Sequence, residues 1–308
     1  MPTAFLEHLH FEFKSGETLA LELGVSRAAV HKAIHALEGS GIPLEHSRAG
    51  YRLKPGTPAK HLLEPQLKGR FGREYSYLGS VDSTQNALRV KAEAGELEGA
   101  VVLSETQTGG RGRRGRPWQS PPGVGLYFSL LLRPHLALER LPLISLAAGV
   151  ALAEVCVPGQ LKWPNDLLAP DGRKLAGILL EGDIRGEELR YVLLGIGLNV
   201  HATNALKGRS ATLDEFQPVH RLKLLSDLLE ALERWVYAPP ERILHAWKAC
   251  SCTLGREVKL PNLTEAGELG SPRVGIARDL DSSGALLVEV NGVLERISAG
   301  DVELVGVL

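Results

Sequence analysis

Four arginines, Arg111, Arg113, Arg114 and Arg116, fall within six positions of one stretch, GGRGRRGR, running from Gly109 to Arg116. Guanidiniums this dense repel one another unless anions lie among them, and glycines this dense weaken any helix or strand. The composition points to a loop whose backbone N–H groups and guanidiniums wrap a phosphate or a carboxylate. A mobile surface loop and an RNA-binding Gly/Arg tract are the competing readings, although the tract is single and short. In a second constellation, Lys162-Trp163-Pro164-Asn165-Asp166, the proline fixes its own φ and biases Trp163 toward an extended backbone. Asn165 and Asp166 then present polar groups just beyond a strand; an ordinary turn with a capping Asp is the plainer alternative. In a third, Lys174 opens an otherwise apolar run and Gly177 admits a close neighbour, unless Lys174 is simply an edge-strand lysine. Small residues also line Gly195-Ile-Gly197-Leu-Asn199, which ends in a polar side chain.

Other chemistry has little support. The chain holds no Walker A, HExxH or GxSxG pattern, and Gly110–Gly115 matches GxGxxG only by letter, with arginine at every variable position. His31 and His35 lie i,i+4 apart and could hold zinc, but a DNA-facing helix explains them better. The 3 Cys exclude a disulfide scaffold and a four-cysteine zinc site, and their odd count fits a reducing compartment. With 35 Lys+Arg against 36 Asp+Glu there is no global nucleic-acid affinity, though one domain could still be locally basic. The N-terminus lacks the basic residue of a signal peptide, and no run is apolar enough to span a membrane.

Three groups of elements must position these residues. Over residues 1–54 we expect a short helix at Phe5–Leu9, a helix over 16–23 capped by Ser15 and ended by Gly24, and a third begun by Ser26. Strands at Ile42–Leu44 and Tyr51–Leu53 around a turn at His46–Gly50 complete the order of a winged helix-turn-helix. Lys54–Gly72 reads as a linker with a short docking helix. The middle of the chain mixes strands (Gly99–Thr106, Leu126–Leu132, Leu175–Glu181, Tyr191–Asn199) with helices near 142–155, 218–232 and 241–250, an α+β pattern. After residue 254 short strands surround Asn291-Gly292, a strong hairpin signal, as in a small barrel.

In this order the motifs resemble those of the bifunctional biotin protein ligases that also repress the biotin operon. The matching stretches are SVDSTQNAL (80–88), ETQTGGRGRRGRPW (105–118), LKWPNDLL (161–168), KLAGILLEG (174–182) and GIGLNV (195–200). GREVKL (255–260), GIARDLDSSGALLVE (275–289) and Gly300-Asp301 match the last domain. One departure is Gln85-Asn86, where the family usually has Asn directly after Asp-Ser-Thr.

The resemblance implies a multidomain α+β protein. It would comprise a winged helix-turn-helix at 1–60, a biotin/lipoate-ligase-like catalytic domain with a mixed sheet at 61–253, and a small SH3-like β-barrel at 254–308. It implies ATP-dependent formation of biotinyl-5′-AMP and biotin transfer to a lysine of the biotin carboxyl carrier protein of acetyl-CoA carboxylase, in the cytoplasm. Arg113 and Lys174 would hold biotin's carboxylate and the α-phosphate, and Ser83, Thr84 and Gln107 the ureido ring. Gly110, Arg111 and Gly177 complete that side. Arg111, Arg114 and Arg116 would serve pyrophosphate, Trp118, Lys162, Asn165 and Asn199 the nucleotide, and Asp166 a Mg2+ ion. Ser26, Arg27, His31 and Lys32 on the third helix, with Arg48 and Arg52 on the wing, would face operator DNA. Residues 1–60 hold seven Lys+Arg and six Asp+Glu, so any basic face comes from distribution and not from net charge. A ligand-promoted homodimer with no membrane partner completes the expectation. A ligase whose N-terminal domain does not bind DNA, a lipoate–protein ligase, and a ligand-sensing regulator without ligase activity are the alternatives.

Overall fold

The computed structural model describes residues 2–134, 137–186, 188–208, 210–263, 269–298, 300 and 302–305. Asp301, half of the Gly-Asp pair near 300, lies outside the described residues.

The chain opens with α1 (Pro2–Leu6), α2 (Gly16–Leu23) and α3 (Arg27–Gly39). The Ser15 hydroxyl accepts from Thr18 N–H at 3.0 Å and starts α2; Gly24, at φ 64°, ends it. Ser26 caps α3 in the same way through Ala29 N–H. Leu9, Leu19, Val30, Ile34 and Leu53 pack between the helices and the wing. The wing departs from expectation, because its strands are β1 (Leu44–Ser47) and β2 (Gly50–Leu53), joined by only Arg48 and Ala49. The Ser47 hydroxyl accepts from Ala49 N–H and Gly50 adopts φ 123°, so two residues suffice to turn and His46 becomes a strand residue opposite Tyr51.

The linker is docked along its length. α4 (Lys60–Leu63) buries Leu63, Tyr75 donates to Pro58 O at 2.8 Å, and Ser226 donates to Gln66 O at 2.9 Å.

A seven-stranded mixed sheet follows, formed by β3 (Tyr75–Val81), β4 (Val101–Gln107), β5 (Gly125–Leu132), β6 (Gln160–Lys162), β7 (Asp166–Leu168), β8 (Lys174–Arg185) and β9 (Glu188–Asn199). Its order is β3-β4-β5-β9-β8-β7-β6, parallel between β3 and β4 and antiparallel elsewhere. The parallel pair needs a crossover, which α5 (Thr84–Glu93) supplies. α6 (Leu141–Val155) is apolar nearly all round and is accordingly buried, packed by α7 (Arg221–Val236) and α8 (Pro240–Ala249).

The last domain is an antiparallel sheet in the order β13-β12-β11-β10-β14. Its strands are β10 (Glu257–Leu263), β11 (Leu269–Leu280), β12 (Leu286–Val290), β13 (Val293–Ile297) and β14 (Glu303–Leu304). Asn291 and Gly292, at φ 50° and 81°, make the expected hairpin turn. Register shifts at Leu260/Asn262 and Ala277/Asp279 bend the strands as a small barrel requires.

Candidate active site

The floor of the site lies where β8 begins beside the end of β9. Gly177 and Gly197 are cross-strand partners there, and the Trp118 indole rests on both. A Cβ on Gly197 would lie 2.4 Å from the indole, so only glycine there lets the ring reach the sheet, and one on Gly177 would crowd Lys174 Nζ at 3.0 Å and the indole at 3.1 Å. Lys174 opens β8 beside them, its Nζ 2.7 Å from Asp166 Oδ1 and 5.4 Å from the Trp118 ring centroid. The KWPND stretch is the turn between β6 and β7, which brings Asn165 and Asp166 to Lys174. Trp163 is locked below it, donating from its indole to Gly284 O at 3.0 Å.

The Gly/Arg stretch is not a loose surface tract. It folds on itself as a small hairpin, with Trp118 N–H donating to Gly110 O at 2.9 Å and Gly112 N–H to Arg116 O at 2.7 Å. Its tip turns through Arg114 and Gly115, both at positive φ (55° and 71°). Arg113 donates to Gly300 O at 3.0 Å and Asn165 Oδ1 at 3.4 Å, and Arg111 to Asn86 Oδ1 at 2.8 Å. Asn86 in turn donates to Asp82 Oδ2 at 2.6 Å, and that bond, with the Ser83 N–H, holds the Asp82 carboxyl below its ordinary range.

Opposite the arginines, short polar side chains line a buried end. Thr84 donates its N–H to Gln107 Oε1 at 2.9 Å and shares a 2.8 Å hydrogen bond with the Ser129 hydroxyl. Gln107 donates to Ser120 at 3.2 Å. Gln85 is buried, its amide N–H groups spent on Leu179 O (3.1 Å) and Leu193 O (3.3 Å), while Asn86 faces the loop. The Gln-Asn order thus puts the longer amide across β8 and β9 and the shorter one on Arg111.

Together these groups enclose a cavity of about 490 Å³. Every candidate biotin or nucleotide residue lines it except two. Gly110 lies behind the wall, where a Cβ would come 2.8 Å from Trp118 O, and Arg114 stands at the hairpin tip near Gly300. Gln85, the departure from the family motif, also lines the cavity, as do Ser129 and Glu303, which no motif marks. Ser129 could have been recognised as the polar residue in an otherwise apolar strand, but nothing local marks Glu303. Two buried polar atoms of the cavity walls, Trp118 Nε1 and Asn199 Oδ1, have no hydrogen-bond partner among the described residues. One donor and one acceptor are therefore left for a ligand. Among the described residues no group of three or more His, Cys, Asp or Glu could hold a metal. Asp166 and Glu303 are the carboxylates that line the cavity, and Asp166, beside Lys174, is of the kind Mg2+ can share with substrate phosphates.

On the N-terminal domain, Ser26, Arg27, His31 and Lys32 are exposed on α3 and Arg48 at the wing tip. His31 and His35 turn their Nε2 atoms to within 3.1 Å of each other. Arg52 is different. It sits directly opposite Glu45 in the hairpin, pairs with it at 2.5 Å, donates to Phe11 O and lies 4.4 Å over the Phe13 ring.

Residues 77–199 match the Biotin/lipoate A/B protein ligase family model, 5–52 an HTH domain and 253–305 the Biotin protein ligase C terminal domain. The chain is 31% identical to the bifunctional ligase/repressor BirA of Bacillus subtilis, over 95% of this chain and 94% of that protein. It is 32% identical to that of Escherichia coli, over 95% and 93%. Among solved structures, the biotin protein ligase of Aquifex aeolicus in complex with biotin and ATP covers 75% of this chain and 98% of its own, at 30% identity and a TM-score of 0.60.

Proposed function

This chain belongs to the biotin protein ligase family that includes the bifunctional ligase/repressors, and from that membership we propose how its own residues do the work. The protein is an ATP-dependent biotin–protein ligase. Biotin's carboxylate displaces pyrophosphate at the α-phosphorus of ATP, and a carrier lysine amine then displaces AMP from the mixed anhydride.

Carboxylate and triphosphate repel each other, so their meeting point must be cationic and preorganised. Lys174 supports that role, standing at the cavity floor already balanced by Asp166 at 2.7 Å. Biotin's carboxylate would take that ammonium over, with Arg113 closing from above, while Arg111, Arg116 and Lys162 meet the phosphates. Arg114, at the tip, would act through loop closure. Thr84, Gln107 and Ser83 at the buried end suit a ureido ring, which both donates and accepts. The nucleotide is favoured beside Trp118 and Asn199 because both carry an unmet hydrogen-bonding atom there. Asp166 would help hold a Mg2+ ion, which would screen the charge of the triphosphate.

The carrier protein and operator DNA are the partners this reading requires, and the cytoplasm is where they and ATP meet. No described helix is long and apolar enough to cross a membrane. α3 and the wing tip would face the operator. Among the described residues no strand pairs with the outer edge of β8 beyond Ile178, whose N–H and C=O are taken by Asn165, which leaves a strand edge for a second copy to extend.

The observation that carries the reading is the juxtaposition of Lys174, Asp166 and Arg113 over a glycine floor, with a buried polar end opposite. Adenylate synthesis is measured with biotin and with lipoate as the competing acid. Biotinyl-AMP should accumulate with biotin; lipoyl-AMP in its place would overturn the assignment.

A further inference from the structure

Glu105 of β4 and Arg221, the first residue of α7, are 0% and 2% exposed, yet neither lines the cavity. Two bonds join them, Arg221 Nη1 to Glu105 Oε2 at 2.8 Å and Nη2 to Oε1 at 3.1 Å. Tyr77 donates to Glu105 Oε1 at 2.6 Å, and Gly123 N–H to Oε2 at 2.9 Å. Arg221 Nη1 donates further to Gly125 O at 3.0 Å. Apolar residues of equal volume often stabilise a core as well as such a pair does, because they avoid the cost of desolvating two charges. Stability alone therefore does not account for it.

Its position does. The segment 108–124 leaves the sheet at the end of β4, two residues after Glu105, and returns at Gly125, where β5 begins. Five of its seventeen residues are glycine, and the returning foot is Gly123-Val124-Gly125. Its two glycines offer no side chain to grip, only backbone N–H and C=O groups. Holding both kinds at once takes a strong acceptor and a strong donor side by side. The carboxylate takes Gly123 N–H and the guanidinium fork gives to Gly125 O. Gln107, two residues beyond Glu105 on the same strand, holds Thr84, so a slip at this strand end would also reach the polar end of the cavity.

We propose that the Glu105–Arg221 pair is a clasp fixing both feet of the Gly/Arg loop, so that it sets how long the closed loop retains the adenylate. Glu105, Arg221 and Tyr77 are positioning residues acting through Gly123 and Gly125. The proposal rests on the ligase reading above.

Full-length protein is loaded with labelled biotin and ATP, and release of the adenylate is followed after a chase, beside a thermal melt. Arg221→Lys keeps the charge and loses the fork; release should quicken by about 10–100-fold, the scale on which a remote displacement of about 1 Å acts. Tyr77→Phe, which deletes one hydroxyl from the carboxylate, should quicken it less, in the same direction. Arg133→Met is the control, since Arg133 lies beyond the opposite end of β5 and its guanidinium likewise serves backbone carbonyls, those of Ala92, Glu96 and Arg190. It should lower the melting temperature and leave release unchanged. Should Arg221→Lys fail to fold, Tyr77→Phe decides. Wild-type release from the clasp variants, or the same dependence of release on melting temperature in Arg133→Met, would overturn the clasp alone. A wild-type protein that makes no adenylate would overturn the ligase reading and the clasp with it.

Discussion

Lys174→Ala removes two things at once. In the proposed mechanism the ammonium would donate to the charge that builds on the reacting phosphoryl group, and it also neutralises Asp166, 2.7 Å away. Losing a transition-state donor costs roughly 3–4 kcal/mol, so adenylate synthesis should slow about 10²–10³-fold. Losing a hydrogen bond to a charged group costs about 1.5–3 kcal/mol, which predicts about 10–10²-fold weaker binding of biotin alone. Asp166 then stands unmasked, only 19% exposed, facing an incoming anion. At an effective dielectric near 20, unit charges 4 Å apart repel by about 4 kcal/mol, so this repulsion is comparable to the lost attraction. Adding Asp166→Asn should therefore restore part of the biotin affinity measured calorimetrically without nucleotide. It should not restore adenylate synthesis, where Asp166 would help hold the metal. Rapid-quench measurement of adenylate formation, set against transfer from preformed adenylate, completes the test. Equal losses in both half-reactions, or a double variant that binds biotin as weakly as the single, would refute the reasoning.

Arg113→Ala should leave the fold intact, since this loop side chain contacts backbone and Asn165, and should speed escape of biotinyl-AMP by about 10–10²-fold; an unchanged single-turnover release rate would contradict it. On operator DNA, Arg48→Ala should lower the salt slope of binding by about one, as for one lost phosphate contact. Arg52→Ala should leave that slope alone and cost the wing roughly 0.2–1 kcal/mol through its pairing with Glu45, read by gel shift at several salt concentrations beside a denaturant titration. Asn86→Ala should raise the Asp82 titration midpoint toward 3.8, because the Asn86 amide is the foremost cause of its depression. A depressed carboxyl stabilises the fold above its unfolded pKa and loses that effect as pH falls through the folded one, so wild type and variant should differ at neutral pH and converge in acid. Carboxyl NMR that finds the midpoint unmoved would contradict this.

Much of the site was legible because its chemistry needs unusual composition. Arginines among glycines, a Lys-Trp-Pro-Asn-Asp turn and a lysine opening an apolar strand are rare enough to mark themselves. Elements with strong periodicity or capping were equally readable, as with Ser15, Gly24, Ser26 and Asn291-Gly292. Short strands were not. β6 and β7 are three residues each and carry no period, and β3 and α5 are marked in the sequence only by the SVDST junction between them. Pairing partners decided the rest. Arg52 looked like a phosphate contact until the hairpin register set it against Glu45. Glu105 and Arg221 are 116 positions apart, and only the fold reveals that they meet beneath the loop. Glu303 reaches the cavity from another domain, which no local pattern announces.

The central claim is met most directly by incubating the full-length protein with labelled biotin, ATP, Mg2+ and an apo biotin carboxyl carrier domain, then following label on the carrier. Label should appear on one carrier lysine, dependent on ATP, with AMP and pyrophosphate released in equal amounts, and little label with Lys174→Ala. A carrier that stays unlabelled while the wild-type protein binds both small ligands would contradict it.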